Sequence, residues 1–177
     1  MNDFINIELQ YLALCLSTLF ALVNPLGITP IFVAMTDKYS NEEKIKIAKK
    51  GIITGSIVLI IFTFLGSIIF RLYGITIEAF QIMGGIIFFR SGLRMLDAKV
   101  GRSRTTETER EEFKESDEIA ISPIGIPLIT GPGAITGVLI LSGKMPSDYS
   151  LAILLLAVII TMVVFYIILR TGNFLSI

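Results

Sequence analysis

The sequence predicts an all-α integral membrane protein. The expected architecture is a polytopic helical bundle, an inverted repeat of three plus three spans whose sixth is absent from this chain. The first and fourth spans are predicted to be discontinuous. Three observations carry this: a strongly apolar composition, five long apolar runs, and a Pro/Gly cluster that interrupts two of them at matching places. Of 177 residues, 53% are hydrophobic and only 17% charged, against about 25% charged in soluble domains. Mean hydropathy is +0.78.

A span needs about 20 mostly apolar residues. The first candidate runs from Leu9 to about Met35, with no charged residue between Leu9 and Thr36. It holds Cys15, which lacks an intramolecular partner and reads as a small lipid- or core-facing residue. Its middle reads Asn24-Pro25-Leu26-Gly27-Ile28-Thr29-Pro30, a poor choice for a continuous helix. Ser40 with Glu43 then fits a capping box, so the next helix starts in water and enters the membrane as the second span, Ile52–Phe70.

The third span, about Ile75 to Leu96, has Glu78 at its start and Arg90 and Arg94 near its end. The two arginines fit snorkelling toward lipid phosphates. Gly84-Gly85, with Gly51 and Gly55, fits close helix packing. Asp97 to Glu118 is a polar linker, either a solvated loop or a regulatory segment. The fourth span runs from Ile119 to about Gly143 and the fifth from Tyr149 to Leu169. Domain organisation follows: a first repeat over 1–96, the linker over 97–118, and a two-span second repeat over 119–177.

Lysine and arginine set the orientation. The segment 36–51 carries Lys38, Lys44, Lys46, Lys49 and Lys50. The linker and its approach carry Arg90, Arg94, Lys99, Arg102, Arg104, Arg110 and Lys114, and Arg170 follows the fifth span on the same side, whereas the other side has only Arg71 and Lys144. Both basic loops are therefore expected in the cytoplasm, with the N-terminus outside and the chain in the cell membrane. A cleavable signal peptide is not expected, because the N-terminus carries Asp3 and Glu8 and its apolar run is too long.

Formal net charge is zero, which argues against a nucleic-acid partner. There are no histidines, which removes the usual metal ligand and neutral-pH proton shuttle. No Ser/His pair, metal-ligand set, paired membrane carboxylates or phosphate loop is legible. An enzyme, a cofactor and a resident metal are accordingly not expected.

Shifting the chain by 107 residues lays Pro25 on Pro132, Ile28 on Ile135 and Thr29 on Thr136, with Gly27 on Ala134. The first and fourth spans cross in opposite directions, so the repeat is inverted, a design common in secondary transporters. The same shift carries the third span past Ile177, so a complete version is expected to have six.

"ALVNPLGITPIF", followed by a Lys/Glu-rich loop, and "ISPIGIPLITGPGAIT" resemble the two signatures of the MarC family. That family includes the SnatA-type small neutral amino acid transporters. The resemblance covers essentially the whole chain. It implies six spans and a substrate such as glycine or alanine.

Irregular backbone at membrane depth survives only inside protein or beside a water-filled cavity. Pro25, Gly27 and Pro30 cluster in one span. Pro123, Gly125, Pro127, Gly131, Pro132 and Gly133 cluster in the other, and two matched interruptions point to a binding site. Thr29 is expected to cap a second half-helix beginning at Pro30, with Thr136 at the matching place. Free amides at such ends suit a carboxylate, and the unpaired carbonyls of the preceding half suit an ammonium group.

The expected substrate-binding set is Asn24, Pro25, Gly27, Thr29, Thr130, Gly131, Pro132, Gly133 and Thr136. No charge lies near either motif to match a charged side chain, so a small zwitterion fits. Glu78 reads as an acid complementing a helix dipole, or as a proton-coupling carboxylate. Sodium could instead bind unwound carbonyls, and a homo-oligomer is compatible with the sequence. The competing function is a non-transporting membrane subunit or scaffold whose Pro/Gly-rich spans serve packing only.

Overall fold

The computed structural model describes residues 2–96, 124–125 and 128–175. The polar linker, the start of the fourth span, Pro123 and Pro127 lie outside the described residues. Among the described residues six α-helices follow in order: α1 (Asn2–Val23), α2 (Pro25–Met35), α3 (Asn41–Tyr73), α4 (Ile77–Leu96), α5 (Pro132–Gly143) and α6 (Ser150–Leu175). No strand occurs among the described residues. Among the described residues three stretches are long and apolar enough to cross a membrane: Asn6–Met35, Asn41–Gly66 and Ser150–Gly172.

Local chemistry sets the ends. Ser40 Oγ accepts from the Glu43 amide while the Glu43 carboxylate accepts from the Ser40 amide at 2.9 Å, closing the capping box that starts α3. The helix stops at Gly74, whose φ of 62° is a left-handed conformation that glycine adopts without a Cβ penalty. The expected second span, Ile52–Phe70, is thus the inner part of one 33-residue helix.

Helix directions can be read from side-chain neighbours. Tyr11 of α1 donates to the Leu141 carbonyl of α5 at 2.9 Å, while Thr18 and Leu22 face Gly137. As α1 advances, α5 recedes, so the two are antiparallel. Gly55 of α3 faces Ile129 and Thr130, and Gly66 faces Leu139 and Ser142; α3 and α5 are parallel. Ile77 meets Gly143 and Gly84 meets Thr136, making α4 antiparallel to α5. Glu8 meets Ser147 just before α6, and Thr29 meets Gly172 near its end, so α6 runs beside α1 and α2. Hence α1 opposes α5 and α3 opposes α6, as an inverted repeat requires.

The core is a seam between α1 and α6. Cys15, Leu19 and Val23 recur every fourth residue on α1 and are buried, as are Leu154, Ala157, Val158, Phe165 and Leu169 on α6. Cys15 is therefore core-facing. The opposite faces are apolar too: Ile53, Ile57, Ile61, Phe64 and Ile68 form an exposed stripe along α3. Such a stripe suits lipid rather than water.

Candidate functional site

The first interruption is one residue wide. Asn24 adopts φ 49°, ψ 61°, the left-handed region that asparagine tolerates better than other non-glycine residues. Its carboxamide Oδ1 accepts from the Gly27 amide at 3.2 Å, and Pro25 follows at the first helical position. Asn24 is thus the cap of α2. This corrects the expectation that Thr29 caps a helix beginning at Pro30. Thr29 Oγ1 instead donates to the Pro25 carbonyl at 2.7 Å, and Pro30 lies inside α2. The reason is local: asparagine reaches its own turn with a short side chain, and proline at N1 loses no hydrogen bond.

Gly27 has a specific task. A Cβ there would collide with the Asn24 carboxamide, so the cap needs glycine.

The break also strips carbonyls. Pro25 brings no N–H to the Ala21 carbonyl, and the Gly27 amide turns to Asn24 Oδ1 rather than to the Val23 carbonyl. The α1 C-terminus therefore presents acceptors and the negative end of its dipole.

The second interruption has the same frame with a barer cap. Gly131 precedes Pro132, has φ −60° and ψ 166°, and supplies no side-chain cap. Ile135 donates to the Gly131 carbonyl at 3.2 Å just as Ile28 donates to the Asn24 carbonyl at 3.1 Å. Thr136, then, is not a cap. It sits inside α5, buried, with its methyl against Gly84 of α4. Upstream, Thr130 sends both its amide (3.4 Å) and its hydroxyl (3.0 Å) to the Gly125 carbonyl. This five-residue reach is a wide turn of the kind that marks functional helix distortions. Among the described residues, no hydrogen bond engages the Gly133 or Ala134 amides.

Antiparallel packing brings the two interruptions to similar depth. Leu22 lies two residues before Asn24 and touches Gly137, five residues past Pro132. The acceptor end of α1 and the donor end of α5 are therefore neighbours, within about two helical turns of each other along the axis. Of the nine expected residues, Pro25, Thr130 and Thr136 are buried, Pro132 is exposed, and the rest are half-buried. Thr29 and Thr136, equivalent in the repeat, face different helices, α6 and α4.

Glu78 stands in the first turn of α4 and is exposed. Arg90 is also exposed. A groove of about 470 Å³ along α3 and α6 is lined by other residues, whereas one of about 400 Å³, where α3 and α5 end and α4 begins, has Glu78 in its lining.

Two polar features escaped the sequence reading. Glu8 accepts from Ser147 Oγ, and its second carboxylate oxygen is buried with no hydrogen-bond partner among the described residues. Ser147 is the repeat counterpart of Ser40: its amide donates to Ser150 Oγ at 3.0 Å, as the Ser40 amide donates to Glu43. Glu8 thus supplies from another helix the carboxylate that Glu43 supplies locally. The hydroxyl of Thr161, 2% exposed, has no partner among the described residues, although Thr36, Thr63 and Thr171 all donate to the carbonyl four residues back. A signal existed, since Ile52-Ile53-Thr54 recurs as Ile159-Ile160-Thr161 under the same 107-residue shift.

Opposed helix pairs, capped breaks at equivalent positions and an apolar outer face define a multi-pass membrane protein of inverted-repeat design. Sequence comparison agrees. The chain belongs to the MarC family of integral membrane proteins, whose family model matches residues 9–176. It is 38% identical over 157 residues to the UPF0056 membrane protein MJ0972 of Methanocaldococcus jannaschii, covering 89% of this chain and 69% of that one. It is 39% identical over 155 residues to PH0760 of Pyrococcus horikoshii, 88% and 73% of the two chains. Against the Escherichia coli UPF0056 membrane protein YhcE it is 36% identical over 122 residues, 69% and 57%. No solved structure is significantly similar to the chain.

Proposed function

We propose that this protein is a secondary transporter of small neutral amino acids across the cytoplasmic membrane, with its basic loops inside and its N-terminus outside. One observation carries the reading: capped breaks at Asn24-Pro25 and Gly131-Pro132 set a helix end rich in carbonyls beside one rich in amides. A zwitterion answers both at once. Its carboxylate would take the Gly133 and Ala134 amides at the positive end of α5, and its ammonium the Ala21 and Val23 carbonyls at the negative end of α1. Close packing supports a small solute, since the space beside Gly27, Gly84 and Gly137 is already taken by Asn24, Thr136 and Leu22. The resemblance to SnatA-type transporters supports the same substrate class.

Because Thr130 and Thr136 are buried, access requires α4 and α5 to part along the Gly84–Thr136 contact. Rocking of one repeat against the other does this. Coupling to sodium would use the same stripped carbonyls and needs no buried acid.

The test is uptake of labelled glycine or alanine into liposomes holding the purified protein, driven in turn by proton and sodium gradients. Saturable uptake is expected. Membrane-inserted, folded protein that shows none in either gradient would leave the scaffold reading in place.

A further inference from the structure

The cavity of about 400 Å³ where α3 and α5 end and α4 begins has a different character from the midplane breaks. Arg71, in the last turn of α3, and Glu78, in the first turn of α4, both line it, together with Thr76 and Ser142. Both charged residues are exposed, and among the described residues no ion pair joins them to each other or to a third group, so a cation and an anion share one hollow. Its wall is firm. Phe70 and Phe80 meet edge to face at 5.3 Å between centroids, Ile77 packs on Gly143, and Ser142 is held by its bond to the Leu139 carbonyl.

We infer that this hollow is a second site for a free α-amino acid, a vestibule in which Arg71 takes the carboxylate and Glu78 the ammonium group. The inference rests on the transport reading for its substrate class. The geometry goes further. Ser142 and Gly143 are the last residues of α5, and the break lies at its start, about 17 Å away along the helix. That is about half the hydrocarbon thickness. The α4–α5 seam connects the two places, with Ile77 on Gly143 at the vestibule and Gly84 on Thr136 toward the break. Parting this seam would let a solute captured by the charged pair pass to the uncharged backbone site.

The roles of the two residues divide from those at the break. Arg71 and Glu78 raise the local concentration of zwitterions over other solutes and act through charge. The break holds its solute by backbone groups. Substitution in the vestibule should therefore weaken capture and leave the slower passage step alone.

Equilibrium binding of labelled glycine to the purified protein in detergent, without added lipid, is the direct test, run beside liposome uptake. Arg71→Gln and Glu78→Gln should each raise the dissociation constant and the KM about tenfold, with the maximal uptake rate within twofold of the parent. The double exchange Arg71→Glu with Glu78→Arg keeps both charges and should recover much of the loss, which a general folding defect would not. Unchanged binding and KM in both single variants, or a fall in maximal rate alone, would overturn the vestibule while leaving transport standing. Arg71-dependent binding without any uptake would do the reverse, and the absence of both binding and uptake would overturn both. Added phosphatidylethanolamine competing with glycine only in the parent would assign the hollow to lipid headgroups instead.

Discussion

Asn24 is a single residue with three tasks. It accepts the left-handed backbone, caps α2 through Gly27 and releases the end of α1. Alanine would fail at the first two, with about 1–2 kcal/mol for the backbone and about 1 kcal/mol for the cap. Asn24→Ala should lower the thermal midpoint in detergent and depress uptake, whereas Asn24→Gly, which keeps the backbone freedom, should fall between it and the parent. Gly84 poses a different problem. A Cβ there would stand 2.5 Å from the Thr136 methyl carbon, so Gly84→Val should wedge α4 from α5 at a cost of about 1–3 kcal/mol. Uptake should fall with it, measured against a thermal melt. The residue types at the first break were legible in sequence, but the cap was not. Thr29 and Asn24 both have oxygens suited to capping, and the choice depended on which backbone could turn left-handed.

At the scale of elements, several helix ends are finished by a bond that reaches across sequence or closes locally. Ser40 and Glu43 are the local case, foreseen from their spacing. Tyr11 is the long-range case, donating to Leu141 in the last turn of α5 and so tying α1 to the far end of its antiparallel neighbour. Removing one such bond costs about 1 kcal/mol. Tyr11→Phe and Ser40→Ala should each lower stability by about that amount. A double variant should lose their sum, since the sites share no partners; thermal unfolding in detergent checks both. Glu8, by contrast, was read only as a reason to doubt a signal peptide. Its partner Ser147 lies 139 residues away, and no local spacing rule joins residues that far apart.

For the whole molecule, the lysine and arginine count predicts one orientation, and Cys15 makes it testable. Cys15 is fully buried and should react little with a thiol reagent. In intact cells, a membrane-impermeant maleimide should label Asn6→Cys, while Lys46→Cys should react only after the membrane is opened. Reversed labelling would turn the protein over without touching its fold. The inverted repeat itself appears in the directions of the helices: α1 opposes α5 and α3 opposes α6, and each broken span restarts at a proline 107 residues from its mate.

What the sequence by itself determined is the class and the punctuation: apolar runs of membrane length, the two proline-glycine interruptions and their relation by a fixed shift. Hydropathy and proline chemistry act within a few residues of their source, so they can be read along the chain. Which glycine meets which threonine, and how Ser142 and Gly143 of α5 come to close one hollow with Arg71 and Glu78, were decided by tertiary packing. Those relations depend on helix rotation and depth, set by the burial of side chains from segments far apart in the chain.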